Sequence, residues 1–207
     1  MLLNKKVVYI TGGSSGIGQA CAKLCLENGA SVIITGRDIK KLEETKRNLS
    51  KISANLETHQ FDIAKSDEFQ ASLNTVYKSH GKIDGLVNNA PSIHTGMIKD
   101  ISFDAWRTNF KANLDAVFVS LNTVIPKMME SGSGSIVNIA SVVGLRGSSY
   151  MAGYGAAKAG LINLTKSAAI EAAPNVRVNC VIPGAVMTDA LKKAMPTDEM
   201  IDATAKT

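Results

Sequence analysis

The chain has 207 residues, 45% of them hydrophobic and 20% charged, with a formal net charge of +5. That length carries one sizeable core, and that balance excludes a disordered or fibrous chain. The basic residues are dispersed rather than run together, so the surplus charge argues for a small anionic ligand more than for nucleic acid.

The three cysteines, Cys21, Cys25 and Cys180, are odd in number and follow no framework spacing, which fits a reducing compartment. Buried free thiols are expected. Cys21 and Cys25 stand one helical turn apart, but no histidine or further cysteine lies near them to complete a metal site. The histidines, His59, His80 and His94, also lack ligand spacing, so no metal is expected. The amino terminus is too short for a signal peptide and no apolar run approaches a membrane span. The expectation is a soluble cytoplasmic protein with neither a membrane nor a nucleic-acid partner.

Residues 7–10, Val-Val-Tyr-Ile, read as a buried strand that enters the glycine-rich run from Thr11 to Gly18. Helix formers follow over 19–27, and Asn28-Gly29 is a stop signal. A glycine turn between strand and helix places backbone N–H groups and the positive helix end where a phosphate can approach. The spacing, Gly12-x-x-x-Gly16-x-Gly18, differs from the commoner dinucleotide fingerprint, and a turn that merely needs glycine is the alternative.

The next strand, 31–35, ends at Gly36-Arg37-Asp38. In dinucleotide folds this strand end faces the adenosine ribose, where an acid accepts from the 2′-hydroxyl and an arginine accommodates a 2′-phosphate. Arg37 therefore favours NADP(H) over NAD(H), with Asp38 competing as a ribose acid or serving as the N-cap of a helix over 39–51. Lys40, Lys41, Lys46, Arg47 and Lys51 on that helix read as a solvated face. A third strand over 56–61 closes at Asp62, placed to meet the adenine amino group. A helix over 66–80 and a strand over 83–87 follow, and the latter leaves at Asn88-Asn89-Ala90-Pro91, a turn. This β-α alternation predicts a single-domain, Rossmann-like, doubly wound parallel sheet of the α/β class.

The longest helical pattern covers 98–132, with Trp106 read as a packing residue and Asn113 as a polar interruption that needs a partner. A fifth strand over 135–140 sets Ser141 just past its carboxyl end, the edge where open α/β sheets bind ligands. A helix over 154–173 carries Tyr154 and, one turn on, Lys158. An ammonium beside a phenol favours phenolate and lowers the phenol's pKa toward the range useful for acid-base work. Taken alone the pair is equally a half-buried aromatic beside a solvated lysine. A sixth strand over 175–182 ends at Pro183-Gly184.

Together the Thr11–Gly18 run, Asn88-Asn89-Ala90, Asn113, Ser141, Tyr154, Lys158 and Pro183-Gly184, in that order, resemble the short-chain dehydrogenase/reductase family from about residue 5 to Thr188. The resemblance implies hydride transfer between NADP(H) and a small-molecule carbonyl or secondary alcohol. In that scheme Ser141 orients the substrate oxygen and Tyr154 is the general acid/base. Lys158 lowers the Tyr154 pKa and holds the nicotinamide ribose, and Asn113 holds a water that links Lys158 to solvent. The cofactor would lie on Gly12, Ser14, Ser15, Gly16, Ile17 and Gly18, on Arg37 and Asp62, on Asn89 and Ala90, on Tyr154 and Lys158, and on Pro183, Gly184 and Thr188. A homodimer or homotetramer is implied.

Two departures stand out. Pro91 replaces the glycine that usually completes the Asn-Asn-Ala-Gly run. After the dinucleotide-binding and catalytic domain, residues 1–188, only 189–207 remain, a partial substrate-lid segment without the usual last helix and seventh strand. Leu145, Gly147, Ser148, Met151 and residues 186–195 are expected to line the substrate pocket. The alternative from another class is a cofactor-binding but catalytically impaired protein that acts through association.

Overall fold

A computed structural model describes residues 1–188. Six parallel strands form one sheet in the order β3-β2-β1-β4-β5-β6: β1 Val7–Ile10, β2 Ser31–Gly36, β3 Leu56–Gln60, β4 Gly85–Asn88, β5 Gly134–Ile139 and β6 Val176–Val181. The helices between them are α1 Gly16–Glu27, α2 Ile39–Leu49, α3 Ser66–His80, α4 Phe103–Phe110, α5 Ala116–Glu130 and α6 Ala152–Glu171. Rossmann-like topology follows from the sequence alternation, since parallel strands need crossovers and crossovers of this length are helical. Among the described residues β6 forms one edge and no seventh strand follows it.

Strand pleating divides the core. Val7 and Tyr9 of β1 face one layer with Phe69, Leu73, Leu121, Ile136 and Leu161, beneath α3, α5 and α6. Val8 and Ile10 face the other with Ala22, Leu26, Ile34 and Leu42, beneath α1 and α2. Burial on both faces explains why β1 and β2 read as continuous apolar runs.

The long helix expected over 98–132 begins only at Phe103, where Ser102 caps it by accepting from the Ala105 N–H at 3.1 Å. It is also interrupted. Residues Lys111–Asp115 form a π-turn between α4 and α5, a widening often found near functional sites. Trp106 packs as expected, its ring 4.8 Å from that of Phe110. The cysteines are half-buried free thiols rather than fully buried ones.

A polar ladder crosses the layer between sheet and helices. Ser120 Oγ on α5 donates to Asn88 Oδ1 on β4 at 3.0 Å, Asn88 Nδ2 to Asn138 Oδ1 on β5 at 2.9 Å, and Asn138 Nδ2 to Thr165 Oγ1 on α6 at 2.9 Å. All four residues are buried, so each rung satisfies groups that would otherwise be stranded without partners.

Candidate active site

The site is assembled at the carboxyl ends of β1, β2, β4 and β5, where the sheet order reverses direction and the helices diverge. After β1 the backbone turns at Gly12, whose φ of +65° favours glycine. A Cβ there would also lie 2.9 Å from Ala90 Cα, so the turn and the residues after β4 touch only because glycine has none. Thr11 joins the two turns. Its Oγ1 accepts from the Asn89 and Ala90 N–H groups at 2.9 and 3.1 Å, while Asn89 Nδ2 donates back to the carbonyls of Thr11 and Gly12 at 3.0 and 3.2 Å.

Between these turns and the end of β2 lies a cleft of about 340 Å³. Gly12, Ser14, Ser15, Gly16, Ile17, Arg37, Asp62, Asn89, Ala90 and Thr188 line it, so most positions expected to meet a cofactor are brought together. Gly18, Pro183 and Gly184 are not on its walls. Gly18 is buried beneath the turn, and the Pro183 carbonyl accepts from the Val142 N–H at 3.0 Å, which ties the end of β6 to the segment after β5.

The end of β2 is basic. Arg37 is 67% exposed at its side chain and stands 3.9 Å from Asp62, a loose pairing that leaves the guanidinium open to solvent. Asp38 acts as the N-cap of α2, with Oδ1 accepting from the Lys40 and Lys41 N–H groups at 3.0 and 3.2 Å. Lys41 lines the cleft as well. Lys41 is exposed, as a solvated face requires, and its place in the first turn of α2, three residues after the N-cap, also sets it at the rim of the cleft. Thr35, fully buried on the cleft wall, carries an Oγ1 with no hydrogen-bond partner.

Ser141, Tyr154 and Lys158 meet at the end of β5, outside the walls of that cleft. Ser141 caps a short 3₁₀ turn, Val142–Gly144, and hydrogen-bonds the Tyr154 phenol. Tyr154 is buried in the first turns of α6. Lys158 is 3% exposed; its Nζ donates to the Ile139 carbonyl at 2.7 Å and lies 5.6 Å from the centre of the Tyr154 ring.

The electrostatics correct one expectation. Burial raises the Tyr154 pKa, and the Ser141 hydrogen bond offsets only part of that rise. The ammonium is aimed at a carbonyl rather than at the phenol, and burial pushes its own pKa down to about 8. Cys180 on β6 faces the same amine and partly restores its charge, while the Cys180 thiol is itself raised by burial.

Asn113, within the π-turn, has the partner its burial demands. Its Nδ2 donates to the Ser92 carbonyl at 2.6 Å and to the Asn109 carbonyl at 2.8 Å, and its Oδ1 accepts from the Ser92 N–H at 3.4 Å. The side-chain amide is therefore engaged with the chain itself rather than with the lysine. Asn109, which sequence reasoning passed over, makes the same kind of contact to His94. Of the expected substrate-pocket positions, Leu145, Gly147 and Ser148 are exposed and Met151 is half-buried, while 189–195 and the rest of the lid segment lie outside the described residues. Among the described residues no group of three or more His, Cys, Asp or Glu side chains could share a metal ion, and no helix is long and apolar enough to cross a membrane.

The model of the short chain dehydrogenase family matches residues 6–199. The chain belongs to the short-chain dehydrogenase family. It is 39% identical over 189 residues to the 3-oxoacyl-[acyl-carrier-protein] reductase FabG of Chlamydia pneumoniae, which covers 91% of this chain and 76% of that protein. Among solved structures it resembles an actinorhodin polyketide ketoreductase variant with NADPH, with a TM-score of 0.88 and 31% identity over 92% of this chain and 74% of the other. It resembles an NAD⁺-bound xylitol dehydrogenase similarly, with a TM-score of 0.89 and 28% identity over 94% and 76%. Relatives of this short-chain dehydrogenase thus include proteins solved with each form of the nicotinamide cofactor.

Proposed function

We propose that the protein is an NADP(H)-dependent oxidoreductase that interconverts a small carbonyl compound and its secondary alcohol, with Tyr154 as the general acid/base. The observation that carries this reading is the convergence of Ser141, Tyr154 and Lys158 at the end of β5, beside a cleft built from a glycine turn. The cleft suits a dinucleotide. Its floor is the amino end of α1, Thr35 Oγ1 awaits a partner on its wall, and Arg37 and Lys41 offer two cations where a 2′-phosphate would sit. The NADPH-bound ketoreductase and the acyl-carrier-protein reductase relative support the phosphorylated form.

The residues of the chain divide the proton work. When bound, the nicotinamide supplies or accepts the hydride. The Ser141 hydroxyl donates a hydrogen bond to the substrate oxygen and holds it near the phenol. The Tyr154 phenol is protonated at neutral pH, so in reduction it is the group with a proton to give. As the substrate oxygen takes that proton, Tyr154 becomes phenolate, and the Lys158 ammonium, charged below about pH 8, stabilises it. Asn113 serves by fixing the helix and the segment after β4, not through a free side chain.

The exposed Phe118 on α5 and Ile170 on α6 support a further reading, assembly as a homodimer or homotetramer, which sedimentation would test. For the chemistry, Tyr154→Phe is expected to abolish reduction of a carbonyl panel while NADPH binding, read by fluorescence, is kept. Undiminished turnover in that variant would refute Tyr154 as the acid. Wild-type turnover with any panel member would exclude an impaired protein that acts only through association.

A further inference from the structure

The segment after β4 cannot hold itself in place. Pro91 removes one backbone donor, and residues 89–97 form no regular element, yet Pro91 and Ser92 make part of the cleft wall. Its ends are tied elsewhere, Asn89 and Ala90 to Thr11 and the Gly96 N–H to the Tyr150 carbonyl at 2.9 Å, and its middle is held by a pair of side-chain amides on the neighbouring helix. Asn109, fully buried, accepts from the His94 N–H at 3.1 Å and donates to the His94 carbonyl at 2.9 Å, with a second N–H reaching the Ala105 carbonyl at 3.2 Å. Asn113 does the same to Ser92. The spacings match for a physical reason. Asn109 near the end of α4 and Asn113 in the π-turn lie about one turn apart, so their amides meet alternate residues of the extended segment, His94 and Ser92.

Asn109 also touches the catalytic helix. A Cβ on Gly153 would lie 2.9 Å from Asn109 Nδ2, so the amide sits directly against the residue that precedes Tyr154. Thr108 and Ala112, the residues just before Asn109 and Asn113, line the cleft themselves.

We infer that Asn109 is a positioning residue: with Asn113 it forms a two-rung clamp that sets the cleft wall at Pro91–Ser92 against the start of α6, and so aligns the cofactor site with Tyr154. The clamp itself stands on geometry alone, while its effect on turnover rests on the oxidoreductase reading given above.

The test is Asn109→Asp beside Asn109→Leu, each folded as judged by circular dichroism and urea unfolding. Backbone hydrogen exchange is measured over residues 90–96, together with kcat and KM against pH, each expressed relative to wild type. The aspartate keeps the acceptor for the His94 N–H but, when ionised, cannot donate to the His94 or Ala105 carbonyl. We expect faster exchange at 92–94 and a loss in kcat/KM of about ten-fold. In the Asp variant that loss should shrink as pH falls and the carboxyl regains a donor; in the Leu variant it should stay constant. Wild-type exchange over 92–94 in the Asp variant would overturn the clamp. Equal, pH-independent losses in both variants would overturn the positioning role. A wild type with no turnover on any carbonyl would count against the oxidoreductase reading, and the exchange measurement would still decide the clamp.

Discussion

Lys158 links the stability of the fold to its chemistry, with opposite signs. Burial lowers its pKa from 10.5 to about 8, so between those values the unfolded chain holds a proton that the folded chain has released. Stability therefore rises with pH through this window. A displacement of that size corresponds to about 3 kcal/mol at its full extent. In the proposed mechanism reduction runs the other way, because the phenolate left on Tyr154 would need the ammonium; above pH 8 the active fraction should then fall about ten-fold per pH unit. The assay is urea unfolding of wild type and Lys158→Met at matched pH, with the difference between them taken so that other titrating groups cancel. The Cys180 thiol interacts electrostatically with the amine, so the pair is best made in a Cys180→Ser background. The wild type should gain on the variant as pH rises from about 8 to 10.5, while its own reductase rate declines over the same range. A flat stability difference across that window would refute the buried, depressed amine.

Other outcomes follow from particular contacts. Tyr9 OH and His59 Nδ1 both hydrogen-bond Ser72 Oγ, each at 2.6 Å, and Tyr9 is fully buried. Ser72→Ala should therefore cost about 1–3 kcal/mol in urea unfolding, and adding Tyr9→Phe should recover much of it; a double variant no more stable than the single would refute the pairing. Replacing Arg37 and Lys41 together by Asp and Glu should lower the NADPH-to-NADH ratio of kcat/KM by about ten-fold or more. An unchanged ratio would remove both cations from cofactor choice.

Much of this architecture was legible from residue patterns. Every strand was placed within about two residues: β1 and β2, buried on both faces, read as short apolar runs closed by turn residues, and β6 as an alternating one. Asp38 as a cap and Trp106 as a packing residue followed from local chemistry, and the grouping of Ser141 with Tyr154 and Lys158 from the family resemblance. The π-turn was not legible, since an unbroken helical pattern carries no mark of one widened turn. Asn109 was hidden for a related reason, as its partners at His94 come from a segment with no periodicity. The direction of the Tyr154 pKa was misjudged because spacing shows a neighbouring charge but not how far burial outweighs it.

The polar ladder has a consequence for how α6 is seated. Hydrophobic burial is non-directional, so contacts such as those of Leu161 and Ala168 index the position of α6 along the sheet less strictly than a hydrogen bond does. The Asn138–Thr165 hydrogen bond fixes it, because any axial slip would strand both groups. Lys158 lies two turns from Thr165 on the same helical face, and its contact, Ile139, is the residue next to Asn138. A threonine outside the cleft thus acts as an index pin for the depth of the lysine, and exchanging Thr165 for valine of similar shape would be read as lost registration rather than lost packing.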